Sequence, residues 1–288
     1  MYQFKTIQKN PTLDHLAEIS GDIVYSEAGG RPLTMRVITP WKNDVNKDCR
    51  YPLILFIQGS GWTCPNINYE IPQLGWYARH GYVVATVTHR NSNDGFPFPA
   101  FLVDVKCALR YLRAHAEKFR IDPARVTAFG TSSGGNTALL LGLTGDDPAY
   151  KSDEYAEESD AVDAVVECFG PTDMIALWDY YSGGDQSKMF LTSLLGDTPE
   201  AAEKAAREMS PICRIDDGKT YPPFLMLHGS GDPVVPYETQ ALPMADRLDK
   251  TGAEVTLIHI EGAEHEGNFW SDELHDIILG FIDGRMKG

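Results

Sequence analysis

Val126-Thr127-Ala128-Phe129-Gly130-Thr131-Ser132-Ser133-Gly134-Gly135-Asn136-Thr137-Ala138-Leu139-Leu140-Leu141 is the stretch on which the reading turns. The apolar run 126–129 reads as a buried strand, and the segment from Asn136 onward reads as a helix. Between them lies a Gly-x-Ser-x-Gly turn, the sequence form of a nucleophile elbow. Such a turn holds its serine in a strained conformation with the hydroxyl exposed. Gly130 and Gly134 let neighbouring backbone pass close by. The helix that begins behind Ser132 directs its positive end toward charge developing at the serine.

A strand–elbow–helix unit needs a sheet around it, and the flanking sequence supplies one. The runs 53–57, 82–88, 162–168, 224–228 and 255–260 are rich in Val, Ile and Leu without strict alternation. That pattern suits strands covered on both faces. Leu102, Val105, Leu109 and Leu112 recur at helical spacing. Ser271-Asp272-Glu273 gives a cap and an acidic first turn to a last helix, with Leu274, Ile277, Ile278 and Phe281 as its apolar face. The start differs: 22–26 and 33–38 flank Gly29-Gly30 and predict an antiparallel hairpin. The expectation is an α/β chain, residues 1–288 in one domain, with a mostly parallel central sheet flanked by helices. Residues 175–219 form a small lid-like insertion.

Composition excludes several classes. The 288 residues carry 25 Lys and Arg against 41 Asp and Glu, a net charge of −16. This repels phosphate backbones and anionic lipid, so neither nucleic acid nor a membrane surface is expected as a partner. No apolar run approaches the roughly 18 residues of a membrane span. The N-terminal residues lack the apolar core of a secretory signal, which points to a cytoplasmic chain. Five scattered cysteines without a Cys-x-x-Cys pair suit reduced thiols, not a disulfide framework or zinc site. The acidic stretch 146–163, with eight carboxylates and one lysine, reads as a solvated loop.

A serine hydroxyl is a weak nucleophile and needs a base, itself oriented by a third group. After an elbow of this kind the chain order is Ser, then Asp or Glu, then His. Asp232, in a turn after the strand 224–228, and His265, on a loop between the strand 255–260 and the last helix, fit that order. His15, His80, His89 and His115 precede Ser132. His228 ends a strand and reads as a brace for the Asp232 turn; His259 is inside a strand; His275 lies beside the apolar face of the last helix. Asp173 in Gly170-Pro171-Thr172-Asp173 is a rival acid, or else a turn cap.

Acyl transfer also needs donors aimed at an oxyanion. The backbone N–H of Ser133, after the nucleophile, is one. Gln58-Gly59-Ser60-Gly61-Trp62 follows the strand 53–57, and its Ser60 and Gly61 N–H groups are the candidates for the other, with Trp62 beside an acyl pocket.

These motifs resemble the serine esterases of the α/β-hydrolase fold, in the hormone-sensitive-lipase-like branch close to acetyl xylan and feruloyl esterases of the BD-FAE type. His89-Arg90, Phe98-Pro99-Ala100, Asp104-Val105-Lys106 and Ile121-Asp122-Pro123 add to the likeness, which runs from about residue 20 to the end. The resemblance implies a carboxylic-ester hydrolase with Ser132, Asp232 and His265 as its triad. It implies no metal or organic cofactor, and a small-molecule or oligosaccharide ester as substrate. The loop departs from the family's His-Gly-Gly-Gly, with Gln58 and Ser60 replacing the His and the middle Gly. Arg90 and Asp104 read as a structural ion pair.

Trp62, Trp178, Tyr180 and Tyr181 are candidates to stack on a sugar or cinnamoyl ring; core packing of a lid, with Met189 and Phe190, is the other reading. Glu261, Glu264 and Glu266 surround His265 in sequence. Any of them within a few ångströms favours imidazolium, displacing activity toward alkaline pH; exposed, they are screened. A prolyl-oligopeptidase-like peptidase acting on small peptides is the alternative activity, and a non-enzymatic binder on the same fold a third. The sequence leaves a homo-oligomer open.

Overall fold

The run Leu53-Ile54-Leu55-Phe56-Ile57 is buried on both sides because its residues alternate between two apolar layers. Leu53, Leu55 and Ile57 face one core, while Ile54 and Phe56 face the other. In a computed structural model, which describes residues 2–181, 194–195 and 198–287, this run is the middle of a nine-stranded sheet. In chain order the strands are β1 (Ala17–Ile19), β2 (Ile23–Ser26), β3 (Leu33–Pro40), β4 (Tyr51–Ile57), β5 (Val83–Val87), β6 (Ile121–Thr131), β7 (Ala164–Cys168), β8 (Phe224–Gly229) and β9 (Val255–Ile260). Their spatial order is β1-β3-β5-β4-β6-β7-β8-β9, with β2 paired to β3.

From β5 through β9 every neighbour pair is parallel; β1, β2 and β5 pair with β3 antiparallel. The sequence-predicted hairpin around Gly29-Gly30 is the β2–β3 pair. Parallel neighbours require crossovers, and helices provide them. Helices α1 (Ile71–Arg79), α2 (Ala100–Ala114), α3 (Ala116–Phe119), α4 (Ser133–Leu143), α5 (Met174–Tyr181), α6 (Pro199–Met209), α7 (Ala241–Asp249) and α8 (Asp272–Met286) follow in chain order. Helices α2, α4, α6 and α7 cover one face, and α1 and α8 cover the other. Ser271 caps α8 by accepting the Leu274 N–H at 3.2 Å. The buried stripe of α8 is Leu274, Ile278, Ile282 and Met286, at i+4 spacing; Ile277 and Phe281 sit at its margin.

The acidic stretch is a correction. Residues 146–163 are not a uniformly solvated loop. Asp160 is fully buried and pairs with Lys106 Nζ at 2.5 Å and Arg110 Nη1 at 2.8 Å, both on α2 and both fully buried. Asp160 Oδ1 also accepts the Asp146 N–H at 2.9 Å. Two cations buried under one apolar helix need a counter-charge, and the loop supplies it. Arg90 and Asp104 form the expected ion pair, at 2.7 Å. Met189 and Phe190, with the rest of 182–193 and with 196–197, lie outside the described residues. No helix among the described residues is long and apolar enough to cross a membrane.

Candidate active site

The elbow forms because two glycines permit a backbone crossing that no other residue allows. A Cβ on Gly130 would lie 2.0 Å from the Gly134 carbonyl oxygen, and one on Gly134 would lie 1.9 Å from the carbonyl oxygen of Ile57. Between them Ser132 takes φ +50°, ψ −123°, a strained region for a residue with a side chain. Its backbone is held from both sides: the Ser132 N–H donates to Cys168 O on β7 at 2.9 Å, and the Asn136 N–H donates to Ser132 O at 3.1 Å. The hydroxyl therefore stands at the mouth of α4, above the end of β6.

His265 reaches this hydroxyl from the loop after β9. Its Nε2 lies 2.9 Å from Ser132 Oγ, and its Nδ1 lies 2.7 Å from Asp232 Oδ2. With Nδ1–H donated to the carboxylate, Nε2 is left as acceptor for the serine proton. Asp232 is anchored in turn: its Oδ1 accepts the N–H groups of Val234 at 2.8 Å and Val235 at 2.9 Å. Burial opposes its charge, but the hydrogen bonds from His228, His265 and Val235 outweigh burial and hold the carboxyl well below the usual range. His228 braces this turn, donating Nε2–H to Val235 O at 2.7 Å with Asp232 Oδ2 at 3.5 Å. Phe169, at φ +42° and fully buried, sets its ring edge-on to His265 with centroids 4.7 Å apart.

Loop 58–62 is tied to the elbow by two side chains. Gly59 N–H donates to Thr131 Oγ1 and Ser60 N–H to Ser133 Oγ, each at 2.9 Å. Ser60, expected as an oxyanion donor, is thus engaged within the protein. Gly61 N–H, and Ser133 N–H at the first position of α4, have no acceptor among the described residues. Trp62, the expected aromatic of this loop, is almost wholly buried. It is 2% exposed, and its ring packs in the core near that of Phe101.

Helix α5 lies against the acid turn. Tyr180 and Tyr181 donate their hydroxyls to Pro233 O at 3.1 Å and Val234 O at 2.6 Å. Trp178 is half-buried against the core. Asp173 caps α5, its Oδ1 accepting the N–H groups of Ile175 at 2.9 Å and Ala176 at 3.0 Å; the carboxylate bonded to His265 is that of Asp232. Of the three glutamates near His265 in sequence, Glu266 accepts the Trp270 Nε1–H at 3.2 Å. Among the described residues, the hydrogen-bond partners of His265 are Ser132 and Asp232.

Two buried acids carry no motif and escape a reading from sequence. Glu167 on β7 is fully buried, and burial pushes its carboxyl to about 7. One of its oxygens accepts the Gly170 N–H. Glu70, just before α1, is pushed by burial to about 8. Glu167 interrupts the apolar run 164–168, whereas Glu70 stands in the mixed stretch 66–73 and leaves no such trace. Among the described residues, no three His, Cys, Asp or Glu side chains are grouped to hold a metal ion. A hydroxyl, an imidazole and a buried carboxylate in this order, with free N–H groups beside the hydroxyl, can carry out nucleophilic acyl transfer.

The BD-FAE family model matches residues 41–248, which takes in loop 58–62, the elbow and Asp232. The chain is similar to esterase LipC of Mycobacterium tuberculosis, 32% identical over 74% of this chain and 52% of that protein. It is also similar to the probable carboxylic ester hydrolase LipM of the same organism, 28% identical over 79% of this chain and 51% of that protein. The chain thus spans about half the length of these curated relatives. Among solved structures, a truncated form of a carbohydrate esterase from gut microbiota matches at a TM-score of 0.80. It is 26% identical and covers 97% of this chain and 100% of that chain.

Proposed function

The chain belongs to the BD-FAE family, and on that premise we propose that it is a carboxylic-ester hydrolase working through Ser132, His265 and Asp232. The observation that carries the reading is the single imidazole of His265 in hydrogen-bond reach of both Ser132 Oγ and Asp232 Oδ2. In the first half-reaction Ser132 Oγ attacks the ester carbonyl as its proton passes to His265 Nε2. Asp232 holds the tautomer and stabilises the imidazolium. The N–H groups of Ser133 and Gly61 receive the oxyanion; one such donor is worth about 3–4 kcal/mol in the transition state. His265 then protonates the leaving alcohol. Water then attacks the acyl carbon as it gives a proton to His265, and His265 returns that proton to Ser132 Oγ as the carboxylic acid leaves.

The substrates of this reading are short-chain acyl or feruloyl esters of carbohydrates. Support for the carbohydrate half comes from the solved carbohydrate esterase that this chain resembles over nearly its whole length. The strongly negative chain, at −16, disfavours anionic substrates. The test is a hydrolysis panel of acetyl, butyryl and longer aryl esters, methyl ferulate, acetylated xylan oligomers and a prolyl peptide. Turnover of the short acyl, feruloyl or xylan esters, with the peptide inert, supports the reading. Cleavage of the peptide with the esters inert replaces it with a peptidase.

A further inference from the structure

Next to the His265 loop, a cavity of about 300 Å³ lies between the start of α1, strands β4 and β6, and the segment Glu266–Trp270. Phe56, Leu74 and Phe129 give it an apolar floor. It shares Gln73, Trp270 and His275 with a wider groove between α1 and α8. Its size is at the low end for ligand sites, which run from about 300 to 1,000 Å³, and suits one ring better than a chain.

The cavity is lined by an acid with nothing to bond to. Glu70 is 8% exposed, and neither of its carboxyl oxygens has a hydrogen-bond partner among the described residues. Native proteins leave few such groups unsatisfied. Burial, with Glu266 nearby, raises the Glu70 carboxyl to about 8, so at neutral pH it offers both an O–H and a carbonyl. Glu266 is held at φ +67°, a left-handed value for a residue with a side chain, and its carboxylate is fastened to Trp270 Nε1–H. Gln73 adds an amide that donates and accepts. Among the described residues no Lys or Arg lines the cavity, and burial lowers the His275 imidazole toward its neutral form. Anions are therefore disfavoured. An ammonium uses acceptors alone, whereas these walls offer donors and acceptors together with the aromatic rings of Trp270 and Tyr69. A hydroxyl-bearing ring uses all of them.

We propose that this cavity is the subsite for the alcohol half of the ester, and that it takes a sugar ring whose hydroxyls are held by Glu70, Gln73 and Glu266. The assignment rests on the ester-hydrolase reading and deepens it. His265 delivers a proton to the leaving alcohol, so that half of the substrate lies next to the loop carrying His265. The two residues that follow His265 on this loop, Glu266 and Gly267, line the cavity.

The test compares two esters with the same acyl group, methyl 2-O-acetyl-β-D-xylopyranoside and 4-nitrophenyl acetate. In Glu70→Leu the ratio of kcat/KM, sugar ester over aryl ester, falls about tenfold or more, chiefly through KM, the scale of losing hydrogen bonds to one buried acid. Gln73→Ala, on the exposed side of α1 where folding is not at stake, lowers the same ratio about threefold. Free methyl β-D-xylopyranoside inhibits aryl-ester hydrolysis competitively in the parent chain and more weakly in Gln73→Ala. A ratio and an inhibition constant that do not move in Gln73→Ala overturn the subsite while leaving ester hydrolysis standing. A parent chain that hydrolyses neither ester overturns the underlying reading, and the subsite with it.

Discussion

Ser60 donates its backbone N–H to the side-chain oxygen of Ser133 at 2.9 Å, across 73 positions of sequence. This bond, with its neighbour from Gly59 to Thr131, clamps loop 58–62 onto the elbow. It also decides which donors are open: among the described residues the N–H groups of Gly61 and Ser133 have no acceptor, and that of Ser60 has one. Ser133→Ala removes the acceptor. It is expected to lower stability by about 1 kcal/mol and kcat by roughly three- to tenfold, with KM less affected, because Gly61 N–H loses its fixed aim. Ser133→Thr, which keeps the hydroxyl, retains most of the activity. Steady-state kinetics and thermal unfolding of the pair check this. Higher kcat in Ser133→Ala would instead mean that the freed Ser60 N–H joins the oxyanion site.

Asp232 and Asp173 make opposite predictions. Asn at 232 keeps the shape but presents an amide to His265 Nδ1 and favours the wrong tautomer, so kcat falls about 10⁴-fold. Asp173 only caps α5, and Asn is itself a good cap; Asp173→Asn keeps kcat within about threefold. Comparing the two variants on one aryl acetate is sufficient. Equal losses would show that the acid had been misassigned.

Glu70 links stability to pH. In the folded chain its carboxyl titrates at about 8, against 4.5 for an unperturbed Glu. The folded state therefore keeps its proton where the unfolded chain has lost it, and stability falls as pH rises from about 4.5 to about 8. Glu70→Gln removes that dependence. Its Tm matches the parent near pH 4 and exceeds it at pH 8–9. Parallel Tm curves for the two chains across pH 4–9 would contradict the assignment.

Asp160 is the counter-charge of a buried triad with Lys106 and Arg110. Asp160→Ala strands two cations in the core and should cost about 3–5 kcal/mol, read as a shifted denaturant midpoint at unchanged m-value. A change within about 0.5 kcal/mol would show that loop 146–163 is anchored by other means.

The features legible in sequence are those whose cause is local. The elbow declares itself because its motif is five residues long and Gly130 makes room for the Gly134 carbonyl within it, although the demand on Gly134 itself comes from Ile57 on β4. Asp232 and His265 could be singled out because each follows a strand run. The strands were readable because a sheet covered on both faces favours apolar runs. What escaped is set by partners far away in the chain. Nothing near Asp160 in sequence announces Lys106 and Arg110. Nothing in Gln58-Gly59-Ser60-Gly61-Trp62 announces that Ser133 Oγ takes up the Ser60 N–H. Trp62, at φ +58°, turns into the core, which the loop sequence does not announce. Tyr180 and Tyr181 read equally well as ring-stacking or lid residues. Their hydroxyls rest on the Asp232 turn, a contact across 53 positions that neither reading announced.

The most direct test of the central claim is covalent labelling with a fluorophosphonate, read by intact-mass and peptide mass spectrometry. The account predicts one adduct per chain, on Ser132, forming far more slowly in His265→Ala and absent from Ser132→Ala together with esterase turnover. An adduct on another residue, or a Ser132→Ala chain that still hydrolyses aryl acetates at the parent rate, would contradict it.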